Sequence, residues 1–229
     1  MSLGAPRLHL RRTDSTNDRA RALALAGAPH GTLVTAAHQA AGRGRQGRGW
    51  IAPAGRALMA SLVLRAPPPL LPLAAAVAVA EALGPAARIK WPNDVLLDGR
   101  KVAGLLAEGR PREGWAVLGV GVNVAVRDAD LPAGLRGKAG TLGREPEDVE
   151  RVLADVVCAL EAWLSATPDA IVAAWCARDA LAGRTVRWPG GTGTARGIDA
   201  EGRLLVETAA GARHALVAGE VHLGGVAGP

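Results

Sequence analysis

Two residue types are missing and a third is scarce. Tyrosine and phenylalanine are absent from the 229 residues, and of 27 basic residues only Lys90, Lys101 and Lys138 are lysines. In a chain that uses arginine almost wherever arginine serves, a lysine points to a site that needs a compact ammonium rather than a planar fork. Cysteine is nearly missing too. Cys158 and Cys176 lie in different apolar helical patterns, lack the close spacing of a zinc or redox pair, and read as two buried thiols. The five histidines, His9, His30, His38, His214 and His222, form no ligand-spaced cluster, so no built-in metal is expected. The longest apolar stretch, residues 70–83, is broken by Pro72 and too short for a membrane span. Residues 1–7 show no charged-then-apolar leader, so a cytoplasmic protein is expected. Internal repeats and long disordered segments are also lacking.

What is present is an apolar share of 49%, enough for a core without disulfides, and a formal net charge of +6. Such a charge suits nucleic acid, anionic small molecules or plain arginine bias. The residues that narrow the choice begin at Gly42-Arg43-Gly44-Arg45-Gln46-Gly47-Arg48-Gly49-Trp50. Glycine lets the backbone approach a ligand, and arginine offers donors matched to carboxylate and phosphate. The loop lacks the Gly-Lys-Ser/Thr ending of a P-loop and the glycine spacing of a dinucleotide fold. It occurs once, between two expected strands, as an active-site loop would.

Alternation and punctuation predict strands at 8–12, 32–38, 57–65, 88–91, 95–97, 101–108 and 115–126, with a hairpin at Asp98-Gly99. Helices are predicted at 20–26, 71–83, 147–165 and 168–181, the first capped by Asp14, Ser15 or Thr16. Residues 131–143 read as a loop. From Gly183 the texture changes to short strands at 185–188, 193–198, 204–207 and 213–217 between glycine-rich turns, the pattern of a small β-barrel. The expected division is therefore 1–182 and 183–229.

Three further segments carry chemistry. Lys90-Trp91-Pro92-Asn93-Asp94 presents an ammonium, an amide and a carboxylate at a strand end. That set suits a nucleotide phosphate with Mg²⁺, or else a turn held by Asx hydrogen bonds. Lys101-Val102-Ala103-Gly104 opens an apolar strand with a lysine, as an edge guard or as a ligand. Gly119-Val120-Gly121-Val122-Asn123 places one amide in an apolar run, where a buried asparagine must find partners.

Together with Ser15-Thr16-Asn17, these segments resemble the biotin protein ligase family, in family order and over nearly the whole chain. Arg196-Gly197-Ile198-Asp199 and Gly219-Glu220-Val221 are similar to the family's small end domain. The resemblance implies an α+β fold like class II aminoacyl-tRNA synthetases, with a mixed sheet and helices, followed by an SH3-like barrel. It implies ATP and biotin as substrates, with Mg²⁺ carried by ATP, and biotinyl-5′-adenylate as intermediate. The biotinyl group then goes to a lysine of a biotin carboxyl carrier domain. On the matched positions, Ser15, Thr16, Asn17, Gln39, Arg43, Gly44, Arg45, Lys101 and Gly104 bind biotin. Arg45, Arg48, Trp50, Lys90, Asn93 and Asn123 bind ATP or the adenylate. Lys90, Lys101, Arg45 and Asp94 are the implied catalytic group, with Asp94 as a base for the incoming amine an open point.

Some family members carry an N-terminal helix-turn-helix. This sequence starts close to the first catalytic strand, so no operator binding is expected, and no membrane partner. A sheet edge could pair two subunits into a homodimer, which the sequence leaves open. Two alternatives stand beside the biotin reading: a lipoate-type ligase, which also makes an acyl adenylate, and a basic nucleic-acid-binding module, which would give the separate lysine motifs no role.

Overall fold

The computed structural model describes residues 2–110, 113–217 and 221–223. Among them lies a seven-stranded sheet whose order is β1-β2-β3-β7-β6-β5-β4. Its strands are β1 (Arg7–Leu10), β2 (Leu33–Ala36), β3 (Ala57–Arg65), β4 (Arg88–Lys90), β5 (Asp94–Leu97), β6 (Arg100–Arg110) and β7 (Trp115–Asn123). The β1–β2 pair is parallel and the other neighbours are antiparallel, so the sheet is mixed.

Successive side chains on a strand point to opposite faces, and that period divides this sheet's work. Leu58, Ala60, Leu62 and Leu64 of β3, with Leu118, Val120 and Val122 of β7, face the main core under α2 (Leu71–Leu83) and α3 (Val149–Leu164). Each fully buried leucine there contributes about 2 kcal/mol. The opposite face carries Val63, Trp115 and Val117, which pack on Ala20 and Ala24 of α1 (Thr16–Leu25). Farther along that face the sheet is bare. Gly121 pairs with Gly104 on one side and Met59 on the other, and Gly119 pairs with Leu106 and Ser61. Glycines in register thus open a hollow on the sheet beside α1.

Helix α1 begins four residues before its expected start. Ser15 occupies the N-cap position but makes no side-chain cap bond. Instead Oε1 of Gln39, just past β2, accepts from the Thr16 backbone N–H at 2.7 Å. Helix α4 (Pro168–Cys176) stops short of the predicted 181, because residues 178–180 leave to pair with β4: Ile89 N donates to Arg178 O at 2.7 Å and Ala180 N to Ile89 O at 2.8 Å. The two cysteines are exposed, contrary to the buried thiols expected. On α3 the buried positions are Val152, Leu153, Val156, Ala159 and Leu160, and Cys158 falls between them on the solvent side.

The C-terminal unit is a five-stranded antiparallel sheet ordered β11-β10-β9-β8-β12. It comprises β8 (Thr185–Trp188), β9 (Gly191–Ile198), β10 (Leu204–Glu207), β11 (Arg213–Leu216) and β12 (His222–Leu223). Gly219 and Glu220 of the C-terminal motif lie outside the described residues. In the β9–β10 turn, Asp199 Oδ1 accepts from the N–H groups of Glu201 and Arg203, and Gly202 sits at φ +78°. A Cβ on Gly202 would stand 2.6 Å from Leu73, and its carbonyl accepts from Trp91 Nε1 at 3.1 Å. The turn therefore fastens this unit to α2 and to the segment that carries Lys90 and Asp94.

Candidate active site

The hollow on the sheet is a cavity of about 300 Å³. Every residue to which the resemblance gives a binding or catalytic role lines it: Ser15, Thr16, Asn17, Gln39, Arg43, Gly44, Arg45, Arg48, Trp50, Lys90, Asn93, Asp94, Lys101, Gly104 and Asn123. Residues spread over more than a hundred positions meet because β5, β6 and β7 are neighbours and the 42–49 loop crosses their open face.

One end is polar and closely bonded. Gln39 Oε1 accepts from both the N–H and the hydroxyl of Thr16, at 2.7 and 3.0 Å. Buried Ser61 Oγ lies 2.8 Å from Thr16 Oγ1 and donates to Asn17 Oδ1 at 2.6 Å. Asn17 Nδ2 donates to Glu108 Oε2 at 2.9 Å. A Cβ on Gly119 would stand 2.2 Å from Asn17 Oδ1, so only glycine admits that amide. Neither Ser61 nor Glu108 was singled out from the sequence. The signal was there for Ser61, a hydroxyl in a nine-residue apolar strand, the same cue that marked Asn123.

The middle is cationic. Lys101 Nζ lies 2.6 Å from Asp94 Oδ1 and 5.8 Å from the centre of the Trp50 ring. Arg45 donates to Asn93 Oδ1 at 3.3 Å, while Asn93 Nδ2 donates to the Leu105 carbonyl at 2.6 Å and so stays fixed to β6. Burial lowers the pKa of Lys90, a shift that Asp94 opposes and Lys101 and Arg48 reinforce. Burial likewise lowers that of Arg45. Four cations grouped about one carboxylate leave an excess of positive charge, which a polyanion would offset.

The other end is flat and apolar. Trp50 lies against bare backbone: a Cβ on Gly121 would come within 2.6 Å of its ring, and one on Gly104 within 3.1 Å. Asn123 Nδ2 donates to the Gly140 carbonyl at 2.8 Å, and its Oδ1 is buried without a partner, as is Trp50 Nε1. Buried polar atoms normally have partners, so the pair marks places for a ligand donor and a ligand acceptor. Leu131, Leu135 and Ala139, in a stretch the sequence offered only as loop, form the wall here. Lys101 N donates to the Lys138 carbonyl at 3.2 Å and Gly140 N to the Lys101 carbonyl at 2.7 Å, which holds that wall on β6.

Residues 9–124 match the Biotin/lipoate A/B protein ligase family, and residues 183–224 match the Biotin protein ligase C terminal domain. The chain belongs to the biotin protein ligase family. Among curated members of that family, it is 41% identical to the biotin--[acetyl-CoA-carboxylase] ligase of Paracoccus denitrificans, over 94% of this chain and all of that one. Among solved structures, it is similar to the Aquifex aeolicus biotin protein ligase in complex with biotin and ATP, with TM-score 0.82 and 28% identity over 96% of this chain and 98% of that one. The Leishmania major biotin protein ligase in complex with biotinyl-5-AMP aligns with TM-score 0.64 and 27% identity, over 93% and 99% of the two chains.

Proposed function

We propose that the cavity activates biotin with ATP and hands the product to a protein lysine. The observation that carries this reading is the sequence of environments along one cavity: a polar pocket at Asn17, a cationic middle at Lys90 and Lys101, and an indole platform at Trp50 beside the open Oδ1 of Asn123. An acyl adenylate has those three parts in that order. The polar end takes the biotin ring, the cations take carboxylate and phosphates, and Trp50 with Asn123 takes adenine, whose exocyclic amine suits the open amide oxygen.

In the first step a biotin carboxylate oxygen bonds to the α-phosphorus of ATP. The bond from that phosphorus to the bridging oxygen breaks, and pyrophosphate leaves with the electron pair. No proton moves, so the task is to hold two anions together in line, by charge and by position. Lys101, between polar end and platform, bridges carboxylate and α-phosphate. Lys90, Arg45 and Arg48 take the remaining phosphate charge. Asp94 holds Lys101 in place and, with Asn93, would offer oxygens to a Mg²⁺ ion carried by the nucleotide, which would offset phosphate charge. Among the described residues no three His, Cys, Asp or Glu side chains converge to hold an ion unaided. In the second step the lysine amine of a biotin carboxyl carrier domain bonds to the acyl carbon, AMP leaves, and the nitrogen loses a proton. The 42–49 loop shields the anhydride from water between the two steps.

The same proposal divides the chain at 182/183, supported by the start of the small sheet at Thr185. It places the enzyme in the cytoplasm, where carboxylases and ATP are available; no helix among the described residues is long and apolar enough to cross a membrane. Pyrophosphate release from ATP with biotin, with lipoate and with neither tests the reading: release with biotin alone supports it, and release that ignores the acid overturns it.

A further inference from the structure

The loop arginines are not equivalent. Arg45 faces the cations around Asp94, but both terminal nitrogens of Arg43 are engaged away from them, Nη1 by Asp18 Oδ1 at 2.5 Å and Nη2 by Glu108 Oε1 at 2.6 Å. Glu108 stands on β6 opposite Val117, two positions beyond Leu106, on the same face as Gly104. Its other oxygen, Oε2, accepts from Asn17 Nδ2 at 2.9 Å. One carboxylate therefore holds a side chain of the polar pocket on one oxygen and the loop that covers the cavity on the other. Asp18 follows Asn17 directly on α1, so both anchors of Arg43 are tied to the same pocket wall.

We propose that Glu108 is a positioning residue that latches the 42–49 loop to the acid-binding end of the cavity. The inference rests on the ligase reading. Its physical content is a linkage: whatever orders Asn17 also orients Glu108, and an oriented Glu108 holds Arg43 in a two-carboxylate clamp. Charge-assisted hydrogen bonds are the stronger kind, and these three share one network. When the loop opens, Asp18 and Glu108 lose their shared cation, and Asn17 keeps a partner that is free to turn. Acid bound in the pocket thus favours the closed loop, and the closed loop retains the adenylate. Glu108 touches no reacting atom, so its effect should fall on retention rather than on the bond-making step.

The test uses the full-length enzyme and its Glu108→Gln and Arg43→Gln variants. Gln at 108 still accepts from Asn17 but loses the charge that grips Arg43. Expected is an increase of about tenfold in the rate at which preformed biotinyl-adenylate dissociates, the scale of one charge-assisted bond. Single-turnover pyrophosphate release by Glu108→Gln should change much less. Trypsin, which cleaves after Arg43, Arg45 and Arg48, should cut adenylate-bound Glu108→Gln faster than the adenylate-bound parent. The double variant should be no worse than Arg43→Gln alone, because that substitution already removes the contact with Glu108 together with the one to Asp18. Unchanged retention in Glu108→Gln, or effects that multiply in the double variant, would overturn the latch. Should Glu108→Gln fail to fold, Arg43→Gln tests the pair from the exposed loop side, and unchanged retention there overturns it equally. A parent enzyme that releases no pyrophosphate on addition of biotin would instead overturn the ligase reading.

Discussion

Lys101 Nζ and Asp94 Oδ1 lie 2.6 Å apart across the β5–β6 hairpin, over the edge of the Trp50 ring. Both side chains are partly exposed, so the pair adds about 1 kcal/mol or less to stability. Its consequence is positional. It points a compact ammonium at the junction between the polar pocket and the indole platform, where the proposed function brings carboxylate and α-phosphate together.

Replacing Lys101 with Arg keeps the charge and alters its shape. A planar fork cannot occupy the space of an ammonium 3.0 Å from where a Gly104 Cβ would stand. Adenylate formation should fall by about a hundredfold, the scale of losing one preorganised electrostatic group. Single-turnover pyrophosphate release with saturating biotin and ATP measures it. Near-normal turnover would remove the argument drawn from lysine scarcity.

Gly121→Ala places a methyl group within 2.6 Å of the Trp50 ring, which must then leave the sheet. The Trp50 platform, proposed to carry adenine, tilts, while Thr16 and Asn17 stay. KM for ATP should rise about tenfold, as for a lost aromatic contact. Affinity for biotin alone should move far less, which calorimetry with each ligand can compare.

The pH dependence follows from Lys90. Burial holds its pKa below the ordinary lysine value. A depressed lysine opposes folding while it must stay charged, so that cost is present below the folded pKa and fades as pH rises toward the unfolded one. The ammonium needed by phosphate is lost over the same window. KM for ATP should therefore climb at a lower pH than an exposed lysine would give, and Lys90→Arg should carry the rise to higher pH. An identical alkaline limb in the two enzymes would assign the titration elsewhere.

Asp94→Asn removes the anion that seats Lys101 and offsets part of the surrounding positive charge. Adenylate formation should drop about tenfold, the scale of one ion pair in a polar site. Transfer from preformed adenylate to a carrier domain should be retained. Equal loss of both half-reactions would give Asp94 the further role of base for the amine.

The parts of this architecture that sequence made legible are those with a local cause. Residues 57–65 and 71–83 have the expected bounds, because a largely apolar strand stopped by Pro67-Pro68-Pro69 and a helix begun by proline and ended by glycine need no distant partner to define them. The cavity lining was readable where packing and charge constrain residue type: glycine against Trp50, lysine beside Asp94. What was not readable has a nonlocal cause. Helix α4 ends early because β4 takes its C-terminal residues as a partner. Thr16 is capped by Gln39 from the segment after β2, not by its own neighbours. Glu108 looked like any charged residue at a strand end until β6 was set beside α1 and the loop. The cysteines are exposed because helical phase, not residue type, decides which side chains of these two helices are buried.

The central claim is that Asn17, Lys101 and Trp50 line successive parts of one acyl adenylate. It is tested most directly by quantifying pyrophosphate and acyl-adenylate from ATP when biotin, lipoate or no acid is supplied. The account predicts stoichiometric biotinyl-adenylate and pyrophosphate with biotin, and neither product above background otherwise. Pyrophosphate release that does not depend on biotin, or adenylate formed equally well from lipoate, would contradict it.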